Sequence, residues 1–133
     1  MTIVVDASVV VAAFVDSGPD GQWSLQHMRQ SRLAGPHLMP VEVASVLRRA
    51  ELAGDLSPDA AALAHADVAD LPVRLFPYDP FARRIWELRK TVTSYDAWYV
   101  ALAEELDATL VTLDVRLSRA AGPLCRIEVP AFL

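Results

Sequence analysis

Ile3-Val4-Val5-Asp6-Ala7-Ser8 decides how the rest of the chain is read. Three apolar, mostly β-branched residues with no polar alternation describe a strand buried on both faces, the pattern of a parallel sheet. The run stops at a carboxylate and resumes as Val9-Val10-Val11-Ala12-Ala13-Phe14, a helix starting just past Asp6. In open parallel sheets, ligands collect where strands end and helices begin. Asp6 is therefore expected at a functional edge, on a central strand.

Working outward, strands alternate with helices. Trp23 to Arg32 reads as a helix after the turn cluster Asp16–Gly21, and Pro36 to Met39 as a brief strand. Pro40 then suits the first turn of a helix running to Gly54. Ser57-Pro58-Asp59 opens another helix, Val73–Phe76 is a strand, and Asp79-Pro80 opens a further helix. Thr93 to Leu106 is the strongest helical segment. Thr109–Thr112 is a second buried strand, Asp114 starts a short helix, and Arg126–Val129 is an edge strand closed by Pro130. This order predicts one domain spanning 1–133, an α/β/α sandwich with a mainly parallel central sheet.

The composition narrows the function. A net charge of −5 argues against non-specific nucleic-acid binding over the whole surface, while leaving room for a local basic rim. Hydrophobic residues make up 53% of the chain, so a partner is expected to cover part of the surface. The single cysteine, Cys125, cannot form an internal disulfide, which fits a reducing compartment. Without a basic start or a run of roughly 20 apolar residues, neither a signal peptide nor a membrane span is expected. The expected location is the cytoplasm.

Four acids stand out by position: Asp6 and Asp114 just after buried strands, Glu42 and Asp96 in the first turns of helices. Each has an ordinary explanation. Asp6 and Asp114 could be N-caps, Thr93-Ser94-Tyr95-Asp96 fits a capping box, and a helix dipole favours Glu42. Together they all point toward one sheet edge if the strands run parallel. Like charges about 4 Å apart repel by roughly 4 kcal/mol near a surface. Such a gathering calls for a counter-ion, or for protons and raised pKa values. Oxygen-only ligands select a hard cation, Mg²⁺ or Mn²⁺, and such an ion binds phosphate, which points to phosphodiester hydrolysis.

The segments Val4-Val5-Asp6-Ala7-Ser8, Pro40-Val41-Glu42, Thr93–Ala103 and Val111–Leu117 together resemble a PIN domain, specifically the VapC-type toxins of bacterial toxin–antitoxin pairs. The resemblance spans essentially the whole chain. It implies a Mg²⁺-dependent endoribonuclease that uses metal-activated water to attack an RNA phosphodiester. The family's metal-binding acids carry over to Asp6, Glu42, Asp96 and Asp114, with Asp6 and Asp96 the safest ligands. Ser8 and Thr112 match hydroxyl positions that steady the cluster or touch substrate. Many relatives have another acid where this chain has Arg116, so one ordered ion is expected rather than two. The resemblance also implies a homodimer, and an antitoxin (VapB-like) whose C-terminal segment covers the active site.

Other conspicuous residues carry less. Arg116 and Arg119 are candidates for contacts to the RNA backbone, with a solvated helix face preferred for Arg119. Arg83-Arg84 and Arg89-Lys90 divide evenly between RNA rim and ordinary surface. Trp86, Trp98 and Tyr99 sit at core spacing and read as packing. His27, His37 and His65 are scattered over separate elements. Two rival readings stand beside the nuclease: a non-catalytic RNA- or protein-binding module, and an aspartyl-phosphate phosphatase. The phosphatase is disfavoured because Ser8 occupies the position of its usual second acid.

Overall fold

The computed structural model describes residues 1–132. Five strands form one sheet: β1 (Thr2–Val5), β2 (Arg32–Pro36), β3 (Val73–Phe76), β4 (Thr109–Val111) and β5 (Ile127–Glu128). Their order is β3-β2-β1-β4-β5 and every pairing is parallel, so the sheet expected to be mainly parallel is wholly so. β1 is central, in register with β2 through Ile3–Leu33 and with β4 through Val5–Val111. Val4, Val5, Leu110 and Val111 have no exposed surface, as continuous apolar runs in a doubly covered sheet require.

Helices α1 (Ala7–Val15), α2 (Pro19–Arg29), α3 (Met39–Leu52) and α4 (Pro58–Ala69) lie on the crossovers from β1 to β2 to β3. A 3₁₀ turn (Asp79–Phe81), α5 (Ala82–Glu87) and α6 (Ser94–Glu105) bring the chain back across β1 to β4. Because crossovers of parallel strands are right-handed, that reversal of direction puts α1–α4 on one face and α5–α6 on the other. The short α7 (Val115–Ser118) precedes β5. Among the described residues no helix is long and apolar enough to cross a membrane.

Several boundaries differ from the sequence reading: the edge strand shortens to Ile127–Glu128, and Asp79-Pro80 opens a 3₁₀ turn before α5. The second strand is Arg32–Pro36, and Met39 already begins α3, because the strand must pair Leu33 with both Ile3 and Val73. The helix expected over Trp23–Arg32 runs instead over Pro19–Arg29, capped by Gly18, because Arg32 already pairs with Thr2 in the sheet. Proline suits that first position. Gly21 lets α2 close on α1, since a Cβ there would lie 1.7 Å from the Asp16 carbonyl oxygen. The turn residues of 16–21 therefore serve a helix start and a helix crossing.

Candidate active site

The parallel sheet places the ends of β1 and β4 side by side. This is also where the strand order reverses: from β1 the chain goes out to β2 and β3, then returns to β4 on the other side. A crevice at the carboxyl ends of strands is expected at such a reversal. Asp6 follows β1 and Asp114 follows β4. Glu42 lies in the first turn of α3, Asp96 in that of α6.

Asp6 occupies the N-cap position of α1, yet its side chain makes no capping hydrogen bond. Its Oδ2 instead accepts from Ser8 Oγ at 2.8 Å and from Thr112 Oγ1 at 2.7 Å. Ser8 Oγ also accepts the Leu113 amide, and Thr112 Oγ1 the Asp114 amide, at 3.3 and 3.0 Å. A hydroxyl donates once and can accept as well. Ser8 and the fully buried Thr112 use both capacities to lock the β1 and β4 ends together. Asp6 Oδ1 has no hydrogen-bond partner among the described residues.

Asp114 does cap its helix, its Oδ1 accepting the amides of Arg116 and Leu117 at 3.0 and 3.4 Å. The Arg116 guanidinium stands 3.7 Å from that same oxygen on an almost fully exposed side chain. Thr93 caps α6 by accepting the Asp96 amide at 3.2 Å.

Electrostatics couple Asp96 to Asp6 and Asp114, and Glu42 to Asp6 and Asp96. Burial pushes the Asp96 carboxyl above its ordinary range, and the charges of Asp6 and Asp114 push it further. Burial likewise raises Glu42, helped by Asp6 and Asp96 and opposed by a hydrogen bond from Tyr99. Carboxyls raised by desolvation and by one another are the signature of a site that favours a proton or a cation. Among the described residues no three acid, histidine or cysteine side chains close into a ready-made metal cage. The donor set itself, carboxylate and hydroxyl oxygens without a nearby histidine or cysteine, is that of a hard cation.

Tyr99 is the residue that sequence reading undervalued. Its ring is buried as expected, but its hydroxyl donates to Glu42 Oε1 at 2.7 Å. The available signal was chemical: a buried tyrosine needs a partner for its O–H. Trp86, read as packing, is instead 64% exposed, with the Arg89 guanidinium 4.6 Å above its ring. Arg84 is held by Glu104 at 2.7 Å and by the Gly122 carbonyl, so it is a structural residue. Beside the acids runs a groove of about 860 Å³ lined by Val11, Val41, Val46, Arg49 and Tyr95 together with Asp6 and Glu42.

The PIN domain family model matches residues 3–123. The chain belongs to the PIN-domain family. A VapC ribonuclease of Mycobacterium bovis is 42% identical over 127 residues, covering 96% of this chain and 97% of that protein. That likeness places the chain in the VapC group of PIN domains. Among solved structures, PAE2754 from Pyrobaculum aerophilum superposes with a TM-score of 0.69 at 27% identity, over 97% of this chain and 84% of that one. The fold is shared as well with VapBC2 from Rickettsia felis, solved bound to a promoter DNA fragment, at a TM-score of 0.68 and 14% identity, over 97% and 98% of the two chains.

Proposed function

We propose that this PIN domain is a Mg²⁺-dependent endoribonuclease, with Mn²⁺ as a substitute, acting in the cytoplasm as the toxin of a toxin–antitoxin pair. What supports the reading is the position of the four carboxylates after strands and at helix starts by the strand-order reversal, with Glu42 and Asp96 both raised by burial and by neighbouring acids. The relatives named as VapC ribonucleases support it.

Asp6, through its unpartnered Oδ1, and Asp96 are the residues to hold the ion. Glu42 and the second oxygen of Asp114 would complete the acidic wall around it. When bound, the cation lowers the pKa of a water and offsets charge building on the phosphate. Ser8 and Thr112 keep Asp6 in one rotamer, and Tyr99 does the same for Glu42. Arg116, exposed beside Asp114, would meet an RNA phosphate. The groove beside the acids, with Arg49 in its lining, suits an apolar segment of a VapB-like antitoxin that covers the site. We also propose a homodimer as the assembled form.

The test is cleavage of a labelled RNA by the purified protein in Mg²⁺, in EDTA, and by Asp96→Asn. Cleavage that requires the ion and is lost in the folded variant supports the reading. Cleavage persisting in EDTA, or undiminished in Asp96→Asn, overturns it.

A further inference from the structure

A second cavity, of about 740 Å³, lies at the opposite end of the sheet. Its lining includes Thr2 and Arg32, the first residues of β1 and β2, whereas the acids stand at the other ends of those strands. At about 3.3 Å per residue, roughly 13 Å of β1 lies between Thr2 in this lining and Asp6. The cavity is within the size range of small-molecule sites.

Its walls are mostly apolar, with Leu25, Met28, Leu33 and Leu106 among them. Three arginines, Arg29, Arg32 and Arg74, stand in the same lining. Among the described residues none of the three has a carboxylate within 4.0 Å, although the chain carries a net charge of −5. Asp70 and Asp107 neighbour lining residues in sequence, yet neither pairs with an arginine. Arg74 lies 4.8 Å above the Phe76 ring, which restrains its fork before any ligand arrives. Acids are plentiful in this protein, and they are absent from these guanidinium groups.

We propose that this cavity binds a small anionic amphiphile, its apolar body among the leucines and Met28, its carboxylate or phosphate on Arg32 and Arg74. The apolar wall supplies affinity for the body, and charge-assisted, bidentate hydrogen bonds from arginine select the head group. The site uses no residue of the acidic cluster, so it stands or falls independently of the nuclease reading.

Decanoate serves as the probe, with decanol as its uncharged counterpart, in titration calorimetry of the intact protein. Saturable binding of one decanoate is expected. The doubly substituted Arg32→Gln/Arg74→Gln protein should bind at least about tenfold more weakly, as should decanol to the wild type. Both arginines are exposed, so the variant should keep its circular dichroism spectrum and its RNA cleavage rate. Asp6→Asn should bind decanoate as the wild type does. Absence of saturable binding, equal binding of decanol, or unchanged affinity in the arginine variant overturns the proposal. So does cross-linking of RNA to Arg32 or Arg74 that decanoate fails to displace.

Discussion

The Tyr99 hydroxyl reaches across 57 positions of sequence to donate a 2.7 Å hydrogen bond to Glu42 Oε1. Tyr99 is 1% exposed and its own pKa is raised, chiefly by burial and then by that bond and the Glu42 charge, so it stays a donor at any working pH. It ties α6, which carries Asp96, to α3, which carries Glu42. Tyr99→Phe leaves the Glu42 carboxylate without this donor and free to rotate. RNA cleavage should fall about tenfold, and stability by about 1 kcal/mol. A kinetic assay and a urea melt check both. Unchanged cleavage in a folded variant would make Tyr99 a packing residue only.

Asp96→Asn should separate activity from stability. A carboxyl whose pKa is raised on folding holds its proton longer in the folded state than in the unfolded one. Stability therefore declines as pH rises from the ordinary aspartate range through the raised value, and the metal-free protein at neutral pH carries that cost. Because Asp96 is partly solvated, the gain from removing the charge is small, a few tenths to about 1 kcal/mol after screening. In EDTA the variant should melt higher than the wild type while cleaving no RNA. Adding Mg²⁺ should raise the melting temperature of the wild type and leave the variant nearly unmoved.

Thr112→Val removes the hydroxyl that donates to Asp6 Oδ2 and accepts the Asp114 amide. The site is fully buried, so water cannot replace either bond. A loss of about 1–3 kcal/mol in stability is expected, with weaker cleavage because Asp6 loses one of its two restraints. Thr112→Ser, which keeps the hydroxyl, should recover most of the cleavage. Failure of that rescue would place the effect in methyl packing.

Glu104 anchors the C-terminal crossing away from the acids. It accepts Arg84 Nε at 2.7 Å and Nη2 at 3.1 Å, and the Leu124 amide at 2.7 Å. Burial pushes its carboxyl up, but the Arg84 and Leu124 hydrogen bonds outweigh burial and hold it below the ordinary range. Its stabilisation is thus complete above roughly pH 4.3, the unfolded glutamate value, and is lost as pH falls through the lower folded value. Glu104→Gln should cost about 1–2 kcal/mol at pH 7, and the difference from wild type should vanish in strong acid. Chemical melts at the two pH values read this directly, with RNA cleavage at neutral pH unaffected.

Much of this protein was legible along the chain. The apolar runs at Ile3–Val5 and Leu110–Val111 read as buried strands, and carboxylates following such strands point to one edge if the strands are parallel. Periodicity and strand order are local properties, so they survive reading without coordinates. Boundaries were less secure. Pro19 and Gly21 look like turn residues until a neighbouring helix shows why the chain needs them inside α2.

What only the tertiary structure decided is the fate of individual polar atoms. Asp6 and Asp114 look alike in sequence, yet one accepts no amide of its helix and the other caps with Oδ1. Trp86 and Tyr99 share an apolar spacing, yet one faces solvent and the other holds Glu42. The reason is physical. Apolar burial is a property of a face and follows periodicity, whereas a hydrogen bond needs two particular atoms within about 3 Å, brought together from distant parts of the chain only by folding.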